Sequence, residues 1–287
     1  MMTRILITGA NGQLGNEMRL LAREHSEYDY LFTDVAELDI CDEQAVADYV
    51  RRHEVDVIVN CAAYTAVDKA EDNEELCDRL NRLATGYLAK AVAARGGKLV
   101  QISTDYVFDG TAHVPYTEDC PTCPDSVYGR TKLGGEREAF AHCPDTMVIR
   151  TAWLYSTFGN NYVKTMLRLG RERETLGVIF DQVGTPTYAR DLAAVIFAAI
   201  GKGIVPGVYH FSNEGVCSWY DFTKAIHRLA GITTCRVSPL HTDEYPTRAT
   251  RPHYSVLDKT KIKQTYGVEV PYWTDSLEEC LRRLEEA

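Results

Sequence analysis

The sequence has no long apolar run: none of its hydrophobic stretches approaches the roughly 18 residues that a membrane-spanning helix requires. It is also short of basic residues, because 31 Lys and Arg stand against 41 Asp and Glu and leave a formal charge of -10. Such a charge repels nucleic acids and anionic membrane surfaces. Apolar residues still make up 45% of the 287 residues, which is ordinary for a globular protein. We therefore expect one large or two modest folded domains and a small-molecule partner.

Paired cysteines and a secretory leader are missing as well. The nine cysteines are odd in number and scattered, unlike a secreted disulfide framework. The apolar stretch at residues 5–7 is too short for the core of a signal peptide. We expect a protein of the reducing cytoplasm. Cys120 and Cys123 form a C-x-x-C segment, but a zinc site needs about four ligands and a second pair is missing, so the sequence predicts no metal site there.

The first 150 residues alternate short apolar runs with amphipathic helical segments. The apolar runs lie at residues 4–8, 30–33, 55–60, 98–102 and 147–150. Continuous apolar strands joined by helices are typical of a parallel sheet that is covered on both faces. The sequence thus predicts an α/β fold with a doubly wound parallel Rossmann sheet, in which Asp42 and Asp72 cap the helices that follow them.

A glycine-rich turn follows the first predicted strand. Gly9, Gly12 and Gly15 allow the backbone to approach a pyrophosphate, whose charge the amides at the start of the next helix hold. Asp34 ends the second predicted strand, where an acid can bind a ribose hydroxyl. The sequence therefore predicts a bound dinucleotide. A carboxylate at this position favours NADH over NADPH, and no Arg lies in residues 33–37 to bind the extra phosphate.

Beyond residue 150 the pattern becomes looser. Helices are predicted at residues 160–173, 191–201, 219–229 and 276–286, and one further strand at residues 177–180. We interpret residues 1–150 as an NAD(P)-binding Rossmann domain to which residues 177–201 return. Residues 151–176 and 202–287 then form a smaller C-terminal α/β lobe for the substrate.

Tyr128 and Lys132 lie four positions apart and so share one face of a helix. A nearby ammonium favours the ionised phenol, and we expect Lys132 to lower the pKa of Tyr128 towards a range useful for acid–base chemistry. Thr104 ends an apolar strand, where open α/β sheets build their sites, and its hydroxyl can polarise the carbonyl oxygen that Tyr128 protonates. Tyr220 and Lys224 have the same spacing without such a partner, so we interpret Tyr220 as a packing residue.

The glycine turn, residues 103–110 and the Tyr128–Lys132 motif together resemble the extended short-chain dehydrogenase/reductases. More narrowly, the chain resembles the dTDP-4-dehydrorhamnose reductase family. Further segments that carry this resemblance lie at residues 60–71, 150–153, 159–168, 181–187 and 251–252. The resemblance implies reduction of the C4 keto group of a dTDP-linked 4-keto-6-deoxy sugar, the last step of dTDP-rhamnose synthesis. The family generally prefers NADPH and often accepts NADH, so both cofactors stay open here.

The resemblance also implies roles for individual residues. The catalytic residues would be Thr104, Tyr128 and Lys132. The cofactor would be lined by Gly9, Gly12, Gln13, Leu14, Asp34, Asp39, Ile40, Ala62, Ala63 and Tyr64, together with Tyr128 and Lys132. The deoxysugar and its nucleotide would face Thr65, Val67, Asp105, Tyr106 and Trp153. Two pyrophosphates must then bind an anionic protein, and Lys69, Lys164 and Arg251 are candidate cations for the second.

Some members of the family carry a magnesium-linked dimer that is built on glutamates. Glu17 matches the first of these glutamates, but Arg190 stands where another would lie, and a cation is not a metal ligand. We therefore expect no structural magnesium and a monomer, with a weak homodimer as the alternative.

Two other functions stay open as alternatives. Related dehydratases carry an Asp-Glu pair after the threonine, whereas Asp105 is followed by Tyr106; a sugar-nucleotide epimerase is not distinguished in this way. The second alternative is a non-catalytic dinucleotide-binding subunit, similar to the regulatory subunits of methionine adenosyltransferase. The intact set of Thr104, Tyr128 and Lys132 argues against it, since a binding module needs no acid–base residues.

Overall fold

Six parallel strands form one central sheet in residues 2–286, the part of the chain that this computed structural model describes. The strands are β1 (Arg4–Thr8), β2 (Asp29–Thr33), β3 (Val57–Asn60), β4 (Lys98–Thr104), β5 (Thr146–Thr151) and β10 (Gly207–His210). They lie in the order β10-β5-β4-β3-β1-β2, and every neighbouring pair is parallel. The chain order reverses between β1 and β3, and sheets of this kind bind ligands beyond the carboxyl ends of the strands at that point.

Helices cover both faces of the sheet because its strands are apolar on both. β3 and β5 are buried at every residue, as strands between two helical layers must be. One face is covered by α1 (Gln13–Leu21), α8 (Ala189–Lys202) and α10 (Thr260–Tyr266), and the other by α2 (Glu43–Arg52), α5 (Ala84–Ala93) and α6 (Val127–His142). The predicted doubly wound α/β fold is confirmed.

The two predicted helix caps have different outcomes. Asp42 caps its helix as predicted, because its side chain accepts a hydrogen bond from the Ala45 N–H at 3.0 Å. The helix expected after Asp72 divides into α4 (Glu74–Asp78), a π-helical turn (Arg79–Leu83) and α5. Its first cap position is Asn73, so the prediction for Asp72 is wrong. The Asp72 carboxylate instead pairs with Arg248.

The strand expected at residues 177–180 forms, but it lies outside the central sheet. β7 (Thr175–Ile179) pairs in parallel with β12 (Arg236–Leu240) in a separate two-stranded sheet. Its side chains alternate between exposed and buried, whereas a central strand is buried on both faces. The expected return of this strand to the Rossmann sheet is therefore wrong, although the following helix α8 does pack against α1. β10, which completes the sheet, comes from the segment expected in the smaller lobe.

The other elements are short, and most of them surround a second core in the carboxyl-terminal half. They are α3 (Val67–Ala70), β6 (Leu154–Tyr155), α7 (Tyr162–Glu172), β8 (Val183–Gly184), β9 (Thr187–Tyr188), β11 (Cys217–Ser218), α9 (Trp219–Leu229) and α11 (Trp273–Glu285), with 3₁₀ turns at Ala22–Glu24, Asp105–Val107 and Thr242–Glu244. Tyr155, Phe222 and Trp273 form the centre of this second core. The boundaries of the two lobes stay a prediction. Among the described residues, no helix is long and apolar enough to cross a membrane.

Candidate active site

The turn after β1 is shaped for close approach of a ligand to its backbone. Gly9 has a φ of +62°, and a Cβ at this position would lie 2.7 Å from the backbone of Ala62. A Cβ at Gly15 would lie 2.4 Å from the carbonyl oxygen of Gly9. The first hydrogen bond of helix α1 runs from the Asn16 N–H to the Gly12 carbonyl at 3.1 Å. The N–H groups of residues 13–15 thus have no acceptor within the helix, and an anionic diphosphate fits them.

A cavity of about 270 Å³ lies beside this turn, between the ends of β1, β2 and β3. Of the predicted cofactor residues, it is lined by Gly9, Gly12, Asp34, Asp39, Ile40, Ala62 and Ala63. The sequence analysis missed four further lining residues, namely Val35, Leu38, Cys61 and Leu80. Val35 leaves 72% of its surface exposed, and an apolar side chain at the cavity mouth suits the flat face of an adenine. Its only sequence signal was its place directly after Asp34.

The carboxylate of Asp34 is fixed next to the glycine turn. One of its oxygens accepts a hydrogen bond from the Asn11 N–H at 3.1 Å, and the other accepts from the Val35 N–H at 2.9 Å. Among the described residues that line the cavity, none carries a positive charge. The site therefore fits a dinucleotide, and its charge favours a free ribose hydroxyl over a phosphate.

Five predicted cofactor residues lie outside the lining of this cavity, namely Tyr128 and Lys132, which are described below, and Gln13, Leu14 and Tyr64. The side chain of Leu14 packs in the apolar core, which leaves its backbone to face a diphosphate. Gln13 accepts a hydrogen bond from the Asn161 side-chain amide at 3.0 Å. Tyr64 is held through its backbone by Asn81, whose side chain accepts from the Tyr64 N–H at 2.9 Å and donates to its carbonyl at 3.2 Å. Cofactor contacts of these residues stay a prediction.

The predicted catalytic residues meet at the carboxyl end of β4. Thr104, the last residue of that strand, donates from its hydroxyl to Asp105 Oδ1 at 2.9 Å, and its side chain lies near the phenol of Tyr128. Tyr106 packs the edge of its ring against Tyr128, with the ring centres 5.5 Å apart. Helix α6 begins here because the Ser126 hydroxyl accepts a hydrogen bond from the Gly129 N–H at 3.1 Å. The structure therefore places the Thr104 hydroxyl and the Tyr128 phenol side by side at the carboxyl end of the central strand β4.

The ionisation of Tyr128 differs from the sequence-based expectation. Burial raises the pKa of Tyr128, and the nearby Thr104 hydroxyl opposes this rise only in part. Lys132 Nζ donates to the Ile102 carbonyl at 2.6 Å and is not among the groups that shift the pKa of the phenol. The expected lowering of the Tyr128 pKa by Lys132 is therefore wrong. Tyr128 keeps its proton at neutral pH, which suits a proton donor.

Two predicted substrate residues show unusual local structure. Asp105 is only 2% exposed, and burial raises its pKa to about 6. Its Oδ2 has no hydrogen-bond partner among the described residues. Trp153 has a φ of +49°, which is strained for a bulky side chain. Its ring stacks on Trp219 with the centroids 3.6 Å apart, a partner that local sequence patterns did not reveal.

A larger cavity of about 860 Å³ opens where residues of α3, α7 and the loop before residue 252 meet. Aromatic and cationic side chains line it together, among them Tyr162, Trp219, Arg173, Arg248 and Arg251. Of the three cations predicted for a second pyrophosphate, Arg251 alone lies in this lining. Lys164 instead lines another surface cavity, and Lys69 is an exposed residue of α3.

Asp68 orients the predicted cation of this cavity. It follows Val67 on α3 and accepts two hydrogen bonds from the Arg251 guanidinium, at 2.6 and 3.0 Å. The Ala249 N–H also donates to Asp68 at 3.1 Å. Thr65 and Val67 lie beside Asp68 on the chain, while their contacts with a sugar nucleotide stay a prediction.

The second Tyr-x-x-x-Lys motif lies away from the site. Tyr220 packs beside Leu176 and Val237, as predicted for a packing residue. Lys224 is exposed.

The surroundings of Glu17 do not fit a divalent cation. Glu17 is fully buried in α1 and accepts a hydrogen bond from the Ser156 hydroxyl at 2.7 Å. Its other oxygen lies 3.6 Å from an Arg283 nitrogen and 4.0 Å from an Arg190 nitrogen. No group of three or more His, Cys, Asp or Glu residues that could hold a metal occurs in residues 2–286. Two guanidinium groups thus supply the positive charge next to this carboxylate.

Comparisons with known proteins agree over the whole chain. A family model described as the RmlD substrate binding domain matches residues 2–286. The chain is 40% identical over 286 residues to the dTDP-4-dehydrorhamnose reductase of Aggregatibacter actinomycetemcomitans, which covers 96% of this chain and 97% of the relative. A crystal structure of a dTDP-4-dehydrorhamnose reductase from Clostridium acetobutylicum has a TM-score of 0.95 at 44% identity, covering 99% of this chain and 100% of that one. The Bacillus anthracis enzyme, crystallised with NADP, has a TM-score of 0.94 at 38% identity over 99% and 100% of the two chains.

The arginines around Glu17 generate a prediction about metal. We expect EDTA and added Mg²⁺ to leave the molecular mass in solution unchanged, because guanidinium groups already neutralise the carboxylate. Light scattering with and without chelator measures this. A dimer that dissociates on chelation and re-forms with Mg²⁺ would show that the arginines do not replace a metal.

Proposed function

Because the chain belongs to the dTDP-4-dehydrorhamnose reductase family, we propose that it reduces the C4 keto group of dTDP-4-dehydro-6-deoxy-L-mannose to give dTDP-L-rhamnose. The observation that carries this function is the proximity of the Thr104 hydroxyl to the Tyr128 phenol at the carboxyl end of β4. This pair lies in a chain that matches reductases over nearly its whole length. The chain is an NAD(P)H-dependent oxidoreductase of the short-chain dehydrogenase/reductase type.

The protein's own residues supply the proton and hold the carbonyl oxygen. NAD(P)H, when bound, supplies the hydride that adds to C4. Tyr128 donates its proton to the oxygen that becomes the C4 hydroxyl, and its raised pKa keeps that proton available at neutral pH. The Thr104 hydroxyl, which donates to Asp105 Oδ1 in the structure, would turn its single proton to the same oxygen and stabilise the negative charge that develops there. The Lys132 ammonium would contact the nicotinamide ribose.

The residues after Thr104 favour reduction over elimination of water. Elimination needs a second carboxylate beside Asp105, and this position holds Tyr106, which packs against the catalytic phenol. The non-catalytic alternative has no specific observation in its favour. An epimerase would need the same trio, and it is separated from a reductase by the assay below.

We place the sugar nucleotide in the cavity of about 860 Å³. Its diphosphate would pair with Arg251, and Tyr162 and Trp219 offer aromatic surface to the base. The deoxysugar would reach Tyr128 past Trp153. Contacts with Thr65, Val67, Asp105 and Tyr106 belong to the same proposal.

We propose that both nicotinamide cofactors are used. The cavity of about 270 Å³ beside the glycine turn supports NADH, because the Asp34 carboxylate lines it and none of its described lining residues is a cation. The Bacillus anthracis relative is crystallised with NADP, which supports NADPH. We also propose a monomer in the reducing cytoplasm, with a weak homodimer as the alternative. All nine cysteines are free, which supports that compartment.

The function is tested by following the absorbance of NADH and of NADPH while dTDP-4-dehydro-6-deoxy-L-mannose is supplied enzymatically. We expect stoichiometric oxidation of at least one cofactor and formation of dTDP-L-rhamnose. Conversion of the sugar without net cofactor oxidation would indicate an epimerase. No reaction with either cofactor would overturn the proposed function.

Replacing Tyr128 by Phe removes the proposed proton donor and keeps the ring. We expect turnover to fall by at least about 100-fold, within the usual contribution of general acid catalysis, while dinucleotide binding survives. Steady-state kinetics and fluorescence titration with NADPH measure the two effects. Tyr220→Phe is the matched control, because it alters the same motif away from the site. Near-normal turnover of Tyr128→Phe would move the proton donor elsewhere.

Replacing Arg251 by Met removes the proposed partner of the substrate diphosphate. We expect the KM for the sugar nucleotide to rise by about 10- to 100-fold, as expected when a hydrogen bond to a charged group is lost. The Kd for NADPH should stay unchanged. Arg168→Met is the control, since Arg168 lies on α7 and lines a different cavity. An unchanged KM in Arg251→Met would remove Arg251 from the substrate site.

A further inference from the structure

Glu136 is a buried carboxylate on helix α6 that the mechanism above does not use. It lies one helical turn after Lys132 and is 4% exposed. The Ser103 hydroxyl donates to its Oε1 at 2.5 Å. Arg150 of strand β5 donates to both of its oxygens, at 2.9 and 2.7 Å. Both carboxylate oxygens are therefore engaged inside the protein.

Stability alone is a weak reason for an ion pair at this place. Arg150 is also 4% exposed, and its guanidinium lies 5.2 Å from the centre of the Phe108 ring. Burying two charges costs desolvation energy, and well-packed apolar residues often serve stability as well or better. The ion pair lies next to the catalytic residues, because Glu136 binds Ser103, the residue before Thr104. This location indicates a role in arranging them.

The contacts of Glu136 attach the catalytic helix to the strand that carries Thr104. Lys132 donates to the carbonyl of Ile102 at 2.6 Å, and Glu136 accepts from Ser103, the next residue of β4. Thr104 follows Ser103, and Tyr128 lies one turn before Lys132. The hydrogen bonds of Lys132 and Glu136 to consecutive residues of β4 thus fix the position of helix α6 along that strand. They thereby also fix the distance between Thr104 and the Tyr128 phenol.

Glu136 also carries the negative charge that faces Lys132. The other titratable groups facing the ammonium are the thiols of Cys77 in α4 and Cys61 after β3. Burial raises the pKa of both thiols, that of Cys61 to about 12, so both are neutral at pH 7. Burial lowers the pKa of Lys132 to about 8, and the charge of Glu136 opposes this effect.

We propose that Glu136 is a positioning residue of the reductase, which fixes helix α6 through Ser103 and keeps the buried Lys132 ammonium charged. Glu136 touches neither substrate nor cofactor, and it acts through Lys132 and through the position of Tyr128. The proposal rests on the proposed function for its kinetic consequences. Its effect on cofactor binding is independent of which sugar is reduced.

The effect of the Glu136 charge on Lys132 is tested with the double variant Glu136→Gln/Arg150→Met, which removes the carboxylate together with its guanidinium partner and so leaves no guanidinium buried without a carboxylate. Without the carboxylate, Lys132 should lose its proton at lower pH. We expect kcat/KM of the wild type to fall at alkaline pH as Lys132 loses its proton, and we expect this fall to lie about one pH unit lower in the double variant. The pH dependence of the NADPH Kd, from fluorescence titration, should move in the same direction. A folded double variant with both profiles unchanged would overturn this role of Glu136.

The hydrogen bond between Ser103 and Glu136 is tested separately with Ser103→Ala. This variant keeps the charges of Glu136 and Arg150 and removes one hydroxyl. We expect kcat to fall about 10-fold, which is the loss of one hydrogen bond to a charged group, with little change in the NADPH Kd and with the alkaline fall of kcat/KM at the same pH as in the wild type. An unchanged kcat in folded Ser103→Ala would overturn the positioning role, even where the double variant does not fold. Glu138→Gln is the control, since Glu138 lies on the same helix and pairs with Arg82. If the wild type does not reduce the sugar but the pH dependence of its NADPH Kd is as expected, the proposed function is overturned and the positioning role of Glu136 is not.

Discussion

The hydrogen bond from the buried Lys132 ammonium to the Ile102 carbonyl is the contact on which the active site depends. An ammonium without a partner at 3% exposure would be costly, so helix α6 is held where this bond can form. Tyr128 lies one turn earlier on the same helix and is thereby placed over the end of β4. The position of the proposed proton donor is thus set by an attachment between a helix and a strand.

The net charge of -10 looks unfavourable for a protein that binds two diphosphates. Backbone N–H groups and arginine side chains at the two proposed sites offset the overall negative charge locally. One diphosphate fits the amides at the start of α1, where no side-chain charge is needed. Asp68 holds Arg251 with two hydrogen bonds, and Asp72 pairs with Arg248. Some of the acidic residues thus serve to orient the cations that an anionic ligand needs, and the total charge conceals this.

Local patterns in the sequence were sufficient for the fold class, the glycine turn and the cap at Asp42. Each of these depends on residues a few positions apart. The spacing of Tyr128 and Lys132 correctly placed both on one helix, but it could not show that the ammonium turns to the carbonyl of Ile102. The stacking of Trp153 on Trp219 was beyond prediction for the same reason: the partners are distant in the chain, and tertiary packing decides which meet. The position of β7 was beyond local prediction too, because β12, the strand with which it pairs, lies far along the chain.

Two local features are best explained by a ligand that completes the structure. Asp105 keeps one carboxylate oxygen buried without a partner among the described residues, and such a group costs free energy unless something bonds to it. Trp153 holds a strained backbone conformation of the kind that persists at binding sites. A deoxysugar between them could donate a hydroxyl to Asp105 and pack against the indole ring. Asp105 directly follows Thr104, and Trp153 follows β5, the strand that pairs with β4. The groups that would hold the sugar and the groups that would reduce it thus lie beyond the carboxyl ends of two neighbouring strands.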